Sequence, residues 1–177
     1  MEAKPLLIDA AVLAPVFRDG HGDLRIVLVR RTEGGVHGGQ LGLPGGRHAP
    51  GDASPLDTAL REAHEEIGLP PESVQVLAAL PVVETRTTGY RIAPFLGWIT
   101  RPSAWRLAVT EIAEVFETRV ADVVRPEARG EGLEQFLGWS SPERIEFFRV
   151  GPHRLWGASY RILRPLLPRL LAGEWPL

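Results

Sequence analysis

Residues 45–69 read GGRHAPGDASPLDTALREAHEEIGL, and the rest of the chain is organised around them. A glycine pair, Gly45 and Gly46, follows Pro44. Glycines let backbone approach a ligand or another strand more closely than any other residue allows. A polar loop with Gly51 and Asp52 leads to Ser54, a suitable N-cap, and Pro55, which suits the first helical position. Leu56, Ala59, Leu60, Ala63 and Ile67 then recur at helical spacing, so a helix over 55–67 with one buried stripe is expected. Gly68 is its stop, with Pro70 and Pro71 beyond.

The same helix carries Arg61, Glu62, Glu65 and Glu66. At about 100° per residue the three glutamates share an arc of roughly 100° beside the apolar stripe. Three carboxylates are thereby expected to face one point. Clustered carboxylates raise one another's pKa unless a cation neutralises them. Oxygen-only ligands suit Mg²⁺ or Mn²⁺. A glutamate cluster on a helix is ordinarily a solvated face, and the glycines before and after this one set it apart. The chemistry implied is metal-assisted attack of water on phosphorus.

Working outward, 6–17 and 24–29 read as strands joined by a turn at 19–22, a hairpin. A polar, glycine-rich loop at 30–39 holds His37, and 41–43 leads into the glycine pair. Beyond the helix, 74–84 and 90–100 read as one long hairpin and 101–109 as an irregular loop. A strand is expected at 111–118 and a short helix at 120–124. The charged, glycine-punctuated segment 125–138 reads as an exposed loop, followed by a strand at 145–150. Trp156, assigned to the core, and Gly157 open a closing helix at 158–171. Strands with separated helices indicate an α+β fold with helices on the sheet faces. No repeat or linker interrupts 1–177, so a single domain is expected.

A formal charge of -2 gives no bulk electrostatic case for a nucleic-acid or membrane partner. Without cysteine there is no disulfide frame, thiolate nucleophile or Cys-ligated zinc. The first residues lack a signal pattern and no apolar run is long enough to span a bilayer, which implies a cytoplasmic protein. Lys4 is the only lysine and asparagine is absent. That bias suits a thermophile, and a GC-rich genome produces it too. A melting curve separates the two.

The central stretch resembles the Nudix box, G-x5-E-x7-R-E-U-x-E-E-x-G-U, where U is a bulky aliphatic. Gly46, Arg61, Glu62, Ala63, Glu65, Glu66, Gly68 and Leu69 fall into its roles. Asp52 stands where the first glutamate is expected, one extra residue separates it from Arg61, and Ala63 is a small U. These departures resemble the coenzyme A pyrophosphatase branch. His37, Gly39, Gln40, Leu43 and Pro44 before the glycine pair resemble that branch's H-x-G-Q-x-x-F-P-G-G segment, with Leu43 for Phe. Thr88–Tyr90, Pro94, Phe95 and Gly97, the strand from Glu111 to Phe116 and the helix from Trp156 onward extend the resemblance over most of the chain.

The resemblance implies a mixed sheet sandwiched between helices and hydrolysis of a nucleoside diphosphate linked to another moiety. For coenzyme A the products would be 3′,5′-ADP and 4′-phosphopantetheine. It implies Glu62 and Glu66 as Mg²⁺ (or Mn²⁺) ligands, with Gly46 giving a backbone carbonyl. Glu65 is a further ligand or the base. Glu111 is a base or extra ligand, or an exposed strand-start glutamate. Gly45, Asp52, Arg61 and Gly68 are structural, Arg61 pairing with Asp52 or Glu65. Arg30, Arg31 and Arg47 are candidates for the substrate phosphates, since arginine forks match phosphate oxygens. His37 and Gln40 are candidates for other substrate contacts. The partner is a small nucleotide, and a homodimer is allowed. Alternatives are an ADP-ribose or dinucleoside polyphosphate pyrophosphatase, and a nucleotide-binding regulator without turnover.

Overall fold

The computed structural model describes residues 7–34, 38–85, 88–135 and 140–177. Strand β1 (Ile8–Arg18) is the spine. Its apolar run alternates sides. Ala11, Leu13 and Phe17 pack with Val27 and Val29 under helix α1 (Pro55–Ile67), whereas Ala14 and Val16 pack with Ile26 and Leu28 under helix α3 (Gly157–Leu171). A strand buried on both faces is expected to be apolar, as residues 10–17 are; Asp9 and Arg18 fall at its exposed ends. The result is a mixed sheet between helices, as the α+β reading expects.

β1 pairs parallel with β7 (Tyr90–Ile99) along one edge. Along the other edge its partner changes. Val16–Arg18 pairs with β2 (Leu24–Arg31), but Ala10–Val12 pairs with β4 (Gly45–Arg47). β2 meanwhile pairs with β3 (Leu41–Gly42) at Val29 and Arg30. β1 and β2 therefore diverge, and the segment Leu41–Arg47 wedges between them, tied by Leu13 N–H to the Pro44 carbonyl at 2.9 Å. Gly45 makes this possible. It has φ +152°, and a Cβ there would fall 2.3 Å from the Ala11 carbonyl oxygen.

The remaining strands extend the sheet on either side. β5 (Val74–Ala79) and β6 (Val83–Glu84) pair with β7. β8 (Ile112–Arg119) lies along β2 and runs into the short helix α2 (Val120–Val123). β9 (Arg129–Glu134), β10 (Glu143–Val150) and β11 (His153–Trp156) continue from β3 to the far edge.

Three sequence expectations change. The expected strand at 74–84 is two strands, because the chain breaks at Pro81, whose nitrogen has no proton to donate to a ladder. The expected exposed loop at 125–138 contains β9. Its glycines lower strand propensity, but the Phe147 ring on β10 covers them, and a Cβ on Gly130 would meet that ring at 2.6 Å. β11 was not legible as a strand. Its four residues gain their place from pairing with β10 and, at Leu155, with Leu41 of β3. Among the described residues no helix is long and apolar enough to cross a membrane.

α1 has the expected ends. Ser54 Oγ accepts from Asp57 N–H at 3.2 Å, and Gly68, with φ +69°, returns its N–H to the His64 carbonyl at 2.9 Å. Its buried stripe differs in detail. Ala59, Ala63 and Ile67 are buried, Leu56 and Leu60 are half-buried, and Thr58 and Glu66 are buried although polar. The small alanines let the helix lie close to β1.

Replacing Gly68 by alanine puts a side chain at positive φ and 2.7 Å from Arg106 Cβ. Gly68→Ala is expected to lose roughly 1–3 kcal/mol in urea unfolding. A loss below a few tenths would mean that the helix end relaxes freely.

Candidate active site

The site is built where the wedge meets the helix. Arg61 is its hub. Nε donates to Asp52 Oδ1 at 2.8 Å and Nη2 to Asp52 Oδ2 at 3.0 Å, a two-pronged pair. Nη2 also donates to the Arg47 carbonyl at 3.0 Å. Nη1 donates to Glu62 Oε1 and to Glu65 Oε2, both at 3.0 Å. Asp52, whose side chain is only 5% exposed, accepts in addition from Ala49 N–H at 2.9 Å and Thr58 Oγ–H at 2.8 Å. Loop and helix are thus locked to each other. The Arg61 guanidinium holds the Asp52 carboxyl far below the usual carboxylate range, and Asp52 in turn raises Arg61.

Glu66 lies deepest, with the residue 1% exposed. Its Oε2 accepts from Gly45 N–H at 3.0 Å. Arg31 Nη2 stands 2.9 Å from Oε1, an ion pair out of line for a hydrogen bond, and donates to the Gly45 carbonyl, also at 2.9 Å. Oε1 is therefore a buried carboxylate oxygen without a hydrogen bond among the described residues. Burial pushes the Glu66 carboxyl up to about 7, against the pull of Arg31 and Gly45 N–H. Burial raises Glu62 too, with Arg61 pulling it down. A Cβ on Gly46 would fall 2.5 Å from Glu62 Cδ, so any side chain there would push that carboxylate aside.

Glu62, Glu66, Arg31, Gln40, Arg47 and Glu111 line one end of a cleft of about 1280 Å³. The lining also includes apolar Val12, Leu41, Ile92 and Ile162, and β10 and α3 contribute charged Glu143, Glu146, Arg161 and Arg164. Glu111 reaches it because the loop before β8 docks on the end of α1. Arg106 N–H bonds to the Ile67 carbonyl at 3.1 Å and Ala108 N–H to the Glu66 carbonyl at 3.0 Å. These bonds also satisfy helix-end carbonyls that would otherwise lack partners.

Two expected site residues stand away from the cleft, and a third is not described. Glu65 does not line the cleft; its side chain is 58% exposed and held by Arg61. Its carboxylate shares Arg61 Nη1 with Glu62, and among the described residues no three His, Asp or Glu side chains form a metal-binding group. Arg30, next to Arg31 in a strand, turns to the opposite side, toward Glu33 and Glu114. His37 lies outside the described residues.

Other groups have no local sequence signal. Ser159 Oγ accepts from Leu43 N–H at 3.0 Å and so fixes the wedge to α3. Tyr90 takes the Arg47 Nε–H on its hydroxyl at 2.6 Å beneath the stacked guanidinium. Glu143 and Glu146 reach the far wall from β10. Only the folded sheet brings them near the cleft.

The oxygen donors suit a hard divalent cation. Glu66 Oε1 has an ion pair with Arg31 but no hydrogen bond, Glu62 lines the same cleft one turn away on α1, and the Gly46 backbone adjoins Glu62. Two carboxylates fit a Mg²⁺ type of site, which keeps waters and substrate oxygens in its shell.

The NUDIX domain profile matches residues 7–163. The chain belongs to the Nudix family. An uncharacterized Nudix hydrolase NudL from Citrobacter koseri is 36% identical over 152 residues, covering 85% of this chain and 71% of its own. The NudL protein of Salmonella paratyphi B is 34% identical over 157 residues, covering 89% and 80%. Among solved structures, a MutT/nudix family protein from Enterococcus faecalis superposes with a TM-score of 0.65 over 97% of this chain and 65% of its own. At 16% identity that likeness concerns the fold alone. As a Nudix hydrolase the protein is a pyrophosphohydrolase acting on nucleotide pyrophosphates. Where the Nudix box has glutamate, Asp52 of this chain still meets Arg61 with both oxygens.

Glu66 gives a pH signature. Between about 4.5 and 7 the folded protein holds a proton that the unfolded chain has released. Stability is therefore present below the unfolded pKa and falls as pH rises toward 7, by up to about 3 kcal/mol. In EDTA, Glu66→Gln is expected to match the wild type near pH 5 and to exceed its stability increasingly up to pH 8. A constant difference across this range would show that Glu66 does not titrate there.

Proposed function

We propose that this Nudix hydrolase uses Mg²⁺ or Mn²⁺ to cleave the pyrophosphate of coenzyme A or its derivatives, releasing 3′,5′-ADP and 4′-phosphopantetheine. Residues 1–177 act as one domain in this reading. The observation that carries it is the composition of the cleft. Charged groups line it beside the glycine pair (Glu62, Glu66, Arg31, Arg47) and again on β10 and α3 (Glu143, Glu146, Arg161, Arg164), with apolar Val12, Leu41, Ile92 and Ile162 among them. That length and mixture accommodate a pyrophosphate followed by a long arm with both apolar and polar groups. The branch resemblance in residues 37–69 supports the same substrate.

Glu62, Glu66 and the Gly46 carbonyl hold the metal in this scheme. When bound, the ion supplies Lewis-acid polarisation of a phosphoryl oxygen and a more acidic water. Arg61 keeps Glu62 oriented through its bond from Nη1. Glu111 is the better-placed base, because it lines the cleft and Glu65 does not. Its carboxylate takes the proton of the attacking water as the bond to phosphorus forms. Arg47, steadied on Tyr90, is placed to neutralise a substrate phosphate, and Gln40 to bond the substrate at the same end.

Purified protein with coenzyme A, ADP-ribose and a diadenosine polyphosphate, each with Mg²⁺ or Mn²⁺, tests the reading. Coenzyme A is expected to give the highest kcat/KM. Faster turnover of either other compound would reassign the substrate, and tight binding without turnover would indicate a regulator. Glu111→Gln is expected to lower kcat by about 10²–10⁴, and Glu65→Gln by much less. The reverse order would return the base to Glu65.

A further inference from the structure

We propose that Arg31 is the resident counter-charge of Glu66, and that a divalent ion engages Glu66 by displacing it. The inference rests on the reading above, in which Glu66 is a metal ligand.

The two oxygens of Glu66 have different partners. Oε2 is taken by Gly45 N–H at 3.0 Å. Oε1 faces Arg31 Nη2 at 2.9 Å and has no hydrogen bond. A cation approaching Glu66 at its unbonded oxygen meets the guanidinium already there. A dication and a guanidinium sharing one oxygen stand only a few ångströms apart in a partly desolvated site, where like charges repel strongly.

The geometry also says which partner yields. Glu66 sits on a packed helix with its side chain 2% exposed, whereas the Arg31 side chain is 32% exposed and borders the cleft. Arg31 Nη2 directs its hydrogen bond to the Gly45 carbonyl and offers Glu66 charge without alignment. Arg61 cannot take over, because its donors go to Asp52, Glu62, Glu65 and Arg47. Arg31 therefore compensates a buried carboxylate, and does so from the cleft side.

A purely supporting role makes the opposite prediction. If Arg31 only props Gly45 and Glu66 in place, its removal weakens metal binding. If it competes, its removal strengthens it. Mn²⁺ binding to the full chain, read from the electron paramagnetic resonance of free Mn²⁺, separates the two. Arg31→Gln is expected to tighten the Mn²⁺ Kd roughly tenfold and to lower the Tm in EDTA. An unchanged or weaker Kd overturns the proposal. A crystal structure of the wild type with Mn²⁺ decides independently of how the variant folds. Arg31 Nη2 is expected beyond ion-pair distance of Glu66 Oε1, and a retained contact overturns the proposal. Glu66→Gln is the control on the underlying reading and is expected to abolish Mn²⁺ binding at this site. Unchanged binding there removes Glu66 as a ligand and the competition with it. Loss there combined with weaker binding in Arg31→Gln removes the competition alone.

Discussion

Arg61 uses all five of its N–H donors within the site, two on Asp52, one each on Glu62 and Glu65, and one on the Arg47 carbonyl. Each of these partners matters to the geometry. Asp52 anchors the loop, Glu62 faces the cleft, and Arg47 follows the glycine pair. A planar fork of fixed shape can do this, and a lysine with a single charged point could not. The net stability of one such bond is modest. The value of the set lies in its joint constraint, since moving the loop breaks several bonds at once.

Against this anchored background the chain keeps two carboxylates in a poor solvent. Glu66 is fully buried with one oxygen unsatisfied, and Glu62 is half-buried beside Gly46. Burying a carboxylate costs several kcal/mol unless a positive charge or strong donors offset it. Arg31 and Gly45 N–H offset it only in part, since the Glu66 carboxyl still rises to about 7. A site that holds carboxylates so unfavourably for water holds them favourably for a cation.

The cleft has a separate origin. It exists because β1 and β2 pair at one end and diverge at the other, leaving β3 and β4 to fill the fork. The glycine pair is required there by contact distances. Gly45 touches the β1 backbone and Gly46 touches Glu62. One short segment thus completes the sheet and forms part of the site wall.

Much of the fold was legible because its signals are local. The Ser54 and Gly68 caps, the 55–67 helix, the first hairpin and the alternation of β7 depend on residues a few positions apart. The Glu62–Glu66 spacing likewise put two carboxylates on one face. The rest needed the sheet. Arg31 reaches Glu66 and Arg30 does not, because pleating sends neighbours to opposite sides and only the pairing of β2 decides which side is the cleft. Glu65 turns outward to Arg61, and Glu111 is carried in by a loop docked on the helix end, contacts that span about 40 residues in the second case. β9 and β11 became strands through partners such as Phe147 and Leu41, which override weak local propensity. The sequence alone therefore determined which chemistry the helix could offer, since that follows from residue type and period. Tertiary structure decided which of those groups share a desolvated space, since burial and charge pairing depend on what long-range strand pairing brings alongside.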